Sequence, residues 1–304
     1  MKTKHMHKGL TWVDLECPTL EEVREVAKEY DIDPLASQEL VAPSSRPKVD
    51  MYPHFIYLIL HFPELTGFER NSGREIDFII GKNYIITAHY ENIEYFEELK
   101  KSLEVDEILG KGPIGDHAGF IFFFMMRGLY RSVSFEVEYI RNVIGEIERK
   151  VFHNQEREMV LEISKVNRTL LSFREAMGMH KEVLGSFEAA AIKFFGQDFD
   201  YHTRDIIGEY SKVESAIVSC KDYLKEIRDT NDSLLNTKQN DIMKTLTLMS
   251  FFILPATLIT GLFGMNTRNV PIIGDPHDFA IVIGMILVLT LFIFIAFRMK
   301  GWIK

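Results

Sequence analysis

Thr245 to Thr267 reads TLTLMSFFILPATLITGLFGMNT, and Phe279 to Phe297 reads FAIVIGMILVLTLFIFIAF. No charged residue lies between Lys244 and Arg268, and none between Asp278 and Arg298. A helix needs about 20 mostly apolar residues to cross the hydrocarbon core of a bilayer, and both stretches reach that length. A helix this long in a soluble core carries a polar stripe toward water. Two charge-free runs instead predict two membrane spans. Lys238 and Lys244 precede the first span. Arg298, Lys300 and Lys304 follow the second, with Trp302 as an interfacial anchor. The connecting loop, residues 268–278, sets Arg268 against Asp275 and Asp278. The positive-inside rule then places both termini in the cytoplasm and the loop outside. The first residues, MKTKHMHKGL, hold no apolar h-region, so no signal peptide is expected.

The remaining sequence is that of a folded protein. Of the 304 residues, 46% are hydrophobic and 26% charged, which excludes a disordered chain. A net charge of −9 argues against a dedicated nucleic-acid binder. Cys17 and Cys220 are too far apart in sequence for a cysteine-type zinc site and too few for a disulfide framework.

Residues 1–115 read as a cytoplasmic α/β domain. Leu10–Leu15, Phe55–His61, Glu75–Ile80 and Tyr84–His89 have strand composition, with Gly81–Asn83 as a hairpin turn. Thr19 caps a helix over TLEEVREVAKEY, whose first turn is acidic, and Asp33-Pro34 opens a second helix. Pro43 to Pro47 breaks the chain. Residues 116–200 read as helix, in segments over 117–152 and 156–195 with a break at Gly196–Asp200. Residues 201–267 read as a stalk helix that continues into the first span at about 245–266. Residues 268–278 are the external loop, 279–298 the second span and 299–304 a basic cytoplasmic tail. Ile206, Tyr210, Val213, Ile217, Cys220, Leu224, Ile227, Asn231 and Leu234 alternate steps of four and three, a heptad seam too mixed for a tight dimer zipper and suited to packing among several helices. A helix unbroken from 201 to 266 is about 100 Å long at 1.5 Å per residue.

Catalytic motifs are missing. The letters of Gly110-Lys-Gly112-Pro-Ile-Gly115 match a dinucleotide pattern, but the run follows a helical segment rather than a strand and reads as a linker. The histidines are scattered without an HExxH or an i,i+4 pair, and His5 and His7 are expected on a loose terminus. No Walker loop and no nucleophile, base and oxyanion set is visible, so the chain is not expected to be an enzyme.

The informative residues lie on the first span. Asn240, Ser250, Thr257, Gly261 and Asn266 return to one helix face, together with Met243, Leu246 and Leu254. Small and hydroxyl residues also gather where helices pack. Two spans per chain cannot enclose a water-filled path, so a pore needs a ring of copies, and each of these residues then becomes a ring of side chains.

Gly264-Met265-Asn266, at the outer end of the first of two C-terminal spans, resembles the signature of the CorA family of magnesium transporters. The stretches Met243-Lys244-Thr245-Leu246-Thr247, Pro255 to Gly261 and Phe263 to Asn266 fit it in place. So do Trp12-Val13-Asp14-Leu15, Pro34-Leu35, Arg46-Pro47-Lys48-Val49 and Ile86-Thr87-Ala88-His89. The resemblance implies an α+β membrane protein assembled as a homopentameric funnel in the lipids of the cell (inner) membrane. The stalk helices would line the pore and the second spans would form an outer ring. It implies Mg2+ as both the transported and the regulatory ion, with Co2+ and Ni2+ as further cargo. Gly264, Met265 and Asn266 would form the selecting ring. Met243, Leu246 and Leu254 would be apolar gates among Asn240, Ser250, Thr257 and Gly261, and Asp275 and Asp278 would draw cations to the mouth. Matching Pro34-Leu35 and Arg46-Pro47-Lys48 puts one half of a regulatory Mg2+ site on Glu39; counting back from Asn266 puts the other half on Asp205. The family's aromatic after the motif is Thr267 here, and its acidic loop is replaced by Val270-Pro271-Ile272-Ile273. The zinc-transporting ZntB branch shares the motif and varies in this loop. Mg2+ against Zn2+ therefore stays open at this point, as does potential-driven against proton-coupled flow. A membrane-tethered sensor or scaffold that transports nothing is the alternative of a different class.

Overall fold

In chain order the elements are β1 (Lys2–His7), β2 (Leu10–Glu16), α1 (Leu20–Glu29), α2 (Pro34–Glu39), β3 (Lys48–Met51), β4 (Ile56–Phe62), β5 (Arg74–Ile80), β6 (Tyr84–His89), α3 (Glu94–Leu109), α4 (Gly119–Phe152), α5 (Glu156–Met177), α6 (His180–Phe195), α7 (Asp200–Phe263) and α8 (Asp278–Met299). They belong to a computed structural model that describes all residues except 8, 45, 65–72, 110–114, 266–271, 273–275 and 302–304, with residues 7, 102–109 and 278 described by backbone alone. The chain forms two compact units, Met1–Asn231 and Asp232–Lys304.

The first unit is built on a six-stranded sheet in the order β1-β2-β6-β5-β4-β3, antiparallel except where β2 runs parallel to β6. Alternation along each strand gives the sheet two faces. On one, Val13, Leu15, Ile59, Ile79, Ile86 and Ala88 pack under Val23 and Val26 of α1 and Ala36 of α2. Both helices start as their caps dictate. Thr19 and Glu22 form a capping box, and the Asp33 carboxylate accepts the Leu35 amide at 2.8 Å with Pro34 in the first turn. The other face packs on the helices. Phe78 meets Phe122 of α4 edge-on, and Phe62 meets Tyr130 of α4 and His180 of α6.

That second face also carries a closed polar network. Asp14 is buried and accepts from the Thr87 hydroxyl, while His89 Nε2 stands 3.2 Å and Lys100 Nζ 2.9 Å from its oxygens. Trp12 Nε1 donates to Thr87 at 2.9 Å. Burial pushes the Asp14 carboxyl up, but the His89 bond and charge outweigh it and hold it below the usual carboxylate range. Burial likewise pulls His89 down, and Asp14 outweighs it, so His89 stays above its ordinary value of 6.5.

The expected seam on α7 is present. Ile206, Tyr210, Val213, Ile217, Cys220, Leu224, Ile227 and Asn231 are all buried. They pack along α4 in parallel: Asp205 pairs with Arg127, Cys220 lies against the Val137 carbonyl and the Tyr223 hydroxyl donates to Glu148.

Two expectations need correction, and one further strand has no counterpart among them. Residues 2–7 are not a loose terminus; they form edge strand β1, which sets His5 opposite Trp12 with ring centroids 5.4 Å apart. Lys48–Met51, just past the expected break, pair with β4 as strand β3. Residues 156–195 are two helices, not one. The chain turns at Gly178–Met179, and His180, fully buried, accepts from Tyr130 at 2.9 Å through Nδ1 and reaches the His61 carbonyl at 2.9 Å through Nε2. Burial drives that imidazole down to about 4, so it is neutral at ordinary pH.

The Asp14 network sets a pH rule. The contribution of Asp14 is present above the ordinary carboxylate range and is lost as pH falls through its lowered value. That of His89 is complete below 6.5 and is lost as pH rises through its raised value. Asp14→Asn leaves the buried His89 and the half-buried Lys100 without their carboxylate. It is expected to cost about 3 kcal/mol, the scale of a broken buried pair, and to flatten both limbs. Urea unfolding followed by Trp12 fluorescence measures it, and an unchanged midpoint across pH would contradict the assignment.

Candidate functional site

Residues 240–265 of α7 and its flank carry the expected stripe, and their exposure separates two faces. Leu248, Phe252, Pro255, Ala256, Ile259 and Phe263 are half-buried, whereas Asn240, Met243, Leu246, Ser250, Leu254, Thr257 and Gly261 are exposed. At about 100° per residue these seven stripe residues fill an arc of about 120°, centred about 180° from the half-buried set; every other residue of the segment is exposed as well. The half-buried face is the one that meets α8. Phe251 and Phe252 reach Phe297 edge-on at 5.4 and 6.1 Å, and α8 answers with a half-buried seam at Val282, Ile286, Leu289, Ile293 and Ala296. The stripe therefore points away from its own chain's second span.

None of the described residues of α8 or of 232–265 is fully buried in the single chain. Leu246 and Leu254 are 53% and 68% exposed. Lipid can cover the apolar flanks; within the span Ser250, Thr257 and Gly261 are the small and hydroxyl residues that favour contact with protein or water, while Asn240 lies before the span.

The hydroxyls are already spent as donors. Ser250 donates to the Leu246 carbonyl and Thr257 to the Ile253 carbonyl, both at 2.9 Å; Thr245 and Thr247 bond the preceding turn in the same way. What Ser250 and Thr257 offer away from the helix is lone pairs. Gly261 has open space where a Cβ would stand. Gly264 has none: its amide bonds the Thr260 carbonyl at 2.9 Å as the helix ends, and a Cβ would fall 2.9 Å from that same oxygen. The signature glycine is thus required by the tight exit from α7. Met265 is exposed. Asn266 and Asp275 lie outside the described residues, as do Thr267, Arg268 and Trp302; Asp278 opens α8, with its side chain outside the description.

The residues expected to regulate stand elsewhere, each with a cation of its own chain. Glu39 ends α2, and its carboxylate is 2.6 Å from Lys48 Nζ, which also meets Asp50 at 2.7 Å. Burial pulls the Lys48 ammonium down, but bonds to Asp50 and Glu39 outweigh it and keep it above its ordinary value. Asp205, on α7, is 3.6 Å from Arg127 of α4. Among the described residues no group of three metal-ligating side chains could hold an ion within one chain. Nothing in the sequence pattern marks Lys48 and Arg127 as the partners of Glu39 and Asp205. Lys48 lies within Arg46-Pro47-Lys48-Val49, but only the β3–β4 pairing brings it to Glu39.

A family model described as CorA-like Mg2+ transporter protein matches residues 7–299. The chain belongs to this family. CorA-family proteins are ion transporters of the membrane, not enzymes, and the two C-terminal apolar helices agree with that class. The cobalt/magnesium transport protein CorA of Methanocaldococcus jannaschii is 24% identical over 298 residues, covering 97% of this chain and 92% of the relative. The protein of the same name from Thermotoga maritima is 20% identical over 299 residues, covering 96% and 83%. Among solved structures, the complete CorA magnesium transporter of M. jannaschii superposes with a TM-score of 0.84 at 22% identity, over 98% of this chain and 93% of that one. The cytoplasmic domain of ZntB from Vibrio parahaemolyticus gives 0.63 at 12% identity over 76% and 90%, a likeness of fold alone.

Within this CorA-family chain the opposed faces of α7 make a direct prediction. In a background lacking Cys17 and Cys220, cysteines at 246 and 254 are expected to give cross-linked ladders of higher oligomers in membranes. Cysteines at 252 and 259, on the α8 side, are expected to give none. Ladders from the second pair and not the first would reverse the assignment.

Proposed function

We propose that this chain is a magnesium channel in which five copies surround an aqueous path lined by α7, admitting hydrated Mg2+ and, less discriminately, Co2+ and Ni2+. The observation that supports this best is the polar, narrow stripe of α7 standing opposite the face that meets α8. A ring of copies gives that stripe water and leaves the α8 helices outside, against lipid. Flanking charge places both termini in the cytoplasm, with residues 1–244 inside and the 268–278 loop outside.

The wall chemistry fits a hydrated cation. The ion's first shell turns its water hydrogens outward and needs acceptors. Ser250 and Thr257, with their protons committed to the helix, offer only acceptors. Mg2+ dehydrates reluctantly, so a path that handles it with its water is favoured. At the outer end, the neutral oxygens of Gly264, Met265 and Asn266 hold the hydrated ion weakly enough to release it, while Asp275 and Asp278 raise the cation concentration at the mouth. Met243, Leu246 and Leu254 act as apolar rings. A divalent ion cannot shed its hydration there, so a slight narrowing closes the path by dewetting.

Cytoplasmic Mg2+ regulates by bridging Glu39 of one copy to Asp205 of the next. Two carboxylates repel when the site is empty and are joined when it is full, so the ion favours the closed ring by its differential affinity. Lys48 and Arg127 are the resident counter-ions that Mg2+ must displace.

Reconstituted vesicles test this with Mg2+ and Zn2+ compared at a set membrane potential. The expected result is potential-driven Mg2+ uptake, abolished by Asn266→Ala with assembly intact, and a leak at high internal Mg2+ in Leu246→Asn. Preference for Zn2+, or normal uptake by Asn266→Ala, would overturn the reading. For regulation, Lys48→Met is expected to shift inhibition to lower Mg2+, and Glu39→Ala combined with Asp205→Ala to remove it over the millimolar range. Inhibition unshifted in the double variant would place sensing elsewhere.

A further inference from the structure

The sheet face under α1 and α2 carries a second polar cluster, and it is not closed as the Asp14 network is. Glu75 and Asp77 stand two residues apart on β5 and so point to the same face; the register sets His61 of β4 beside Glu75, and Ile59 of β4 and Ala88 of β6 beside Asp77. Asp77 is fully buried and Glu75 nearly so. Glu75 is anchored as an acceptor. Both its oxygens take the Ser44 amide, at 2.8 and 2.7 Å, and His61 Nε2 lies 3.1 Å away. Asp77 has far less. Its Oδ2 faces the Tyr90 hydroxyl at 3.4 Å, and its Oδ1 has no hydrogen-bond partner. The buried Tyr57 hydroxyl has none either. Lys48, whose ammonium sits 5.0 Å from the Tyr57 ring, is held by Glu39 and Asp50. Among the described residues no cation pairs with Asp77.

Two carboxylates cannot both stay ionised side by side in such a place without a counter-ion. One retained proton resolves the conflict. Burial first, and the neighbouring Glu75 charge second, hold the Asp77 carboxyl well above the usual carboxylate range.

Tyr90 connects this proton to α2. Its hydroxyl lies 3.4 Å from Asp77 Oδ2 and 3.4 Å from the Glu39 carbonyl at the end of α2, and it has one hydrogen to give. We propose that Glu75 and Asp77 form a proton-binding site whose occupancy decides which of these two acceptors Tyr90 serves. With the proton on Asp77, the carboxyl is neutral and Tyr90 donates to Glu39. When the proton leaves to water, the Asp77 carboxylate becomes the stronger acceptor and takes the Tyr90 hydrogen. The last turn of α2 then loses a tether, and the new charge repels Glu75, which holds Ser44. Both anchors of the segment from Pro34 to Pro47 weaken together. Facing the pair are Tyr57 and His61 from β4, Tyr90 after β6, Glu39 from α2, and Lys48 and Asp50 from β3. Because α2 carries Glu39, this proton sets how firmly that carboxylate is positioned. The site itself does not depend on the transport reading.

The test uses the full chain in detergent micelles, with two readouts on the unmutated protein. Infrared spectra with isotope-labelled aspartate are expected to show an aspartic carboxyl that stays protonated above the range in which an ordinary aspartate ionises. Hydrogen exchange, corrected for its intrinsic pH dependence, is expected to show protection of the Leu35–Leu40 amides falling severalfold across the pH range over which the infrared band is lost. Asp77→Asn should remove the band and keep protection at its acidic level. Tyr90→Phe should keep the band and flatten the pH dependence. Absence of the band above the ordinary aspartate range in the unmutated chain, or protection of α2 that does not change as the band disappears, overturns the proposal whether or not either variant folds.

Discussion

A helix that crosses hydrocarbon gains more by setting small and hydroxyl residues against protein or water than against lipid, and this preference governs the second unit. The apolar end of α7 has one face for α8 and, opposite it, a face that lipid does not suit. The first is made of Phe252, Pro255, Ile259 and their neighbours; the second holds Asn240, Ser250, Thr257 and Gly261. Neither face can be exchanged for the other, because each substitution of register by one residue turns a helix by about 100°. Pro255 is placed accordingly. It removes one amide from the helix ladder, and it does so on the α8 side, away from the stripe.

The first unit shows how the same chain handles buried charge in two ways. On the helix-covered face of the sheet, Asp14 is answered by Thr87, His89 and Lys100, and every strong group has a partner. On the face under α2, Asp77 is left with one long bond and an orphaned oxygen. A satisfied network stiffens a fold; an unsatisfied one is where a fold responds to its surroundings. The difference lies in the neighbours. Lys100 reaches the first cluster, while Lys48 is occupied by Glu39 and Asp50 at the second.

Much of this was legible in the letters. The spans announced themselves by length and lack of charge, the stripe by helical spacing, the α7 seam by steps of four and three, and strand β6 by composition. What escaped is non-local. β1 is polar and alternates weakly because it is an edge strand; its existence depends on pairing with β2, which sequence period does not report. β3 is too short to stand out beside Pro47. The turn at Gly178 has no proline and no positive φ, and it is explained by the need to bring His180 onto the His61 carbonyl and Tyr130. The resemblance located Glu39 and Asp205, but Lys48 and Arg127 emerged only once strand pairing and helix packing were in view.

Water access along α7 tests the central claim most directly. Single cysteines from 240 to 264, in membranes and in a background lacking Cys17 and Cys220, are exposed to a charged thiol reagent that does not cross lipid. Modification is expected to rise and fall with the helical period, strongest at 243, 250, 257 and 261 and weakest at 248, 252, 255 and 259. Uniform protection, or a maximum on the α8 side, would contradict an aqueous path along the stripe.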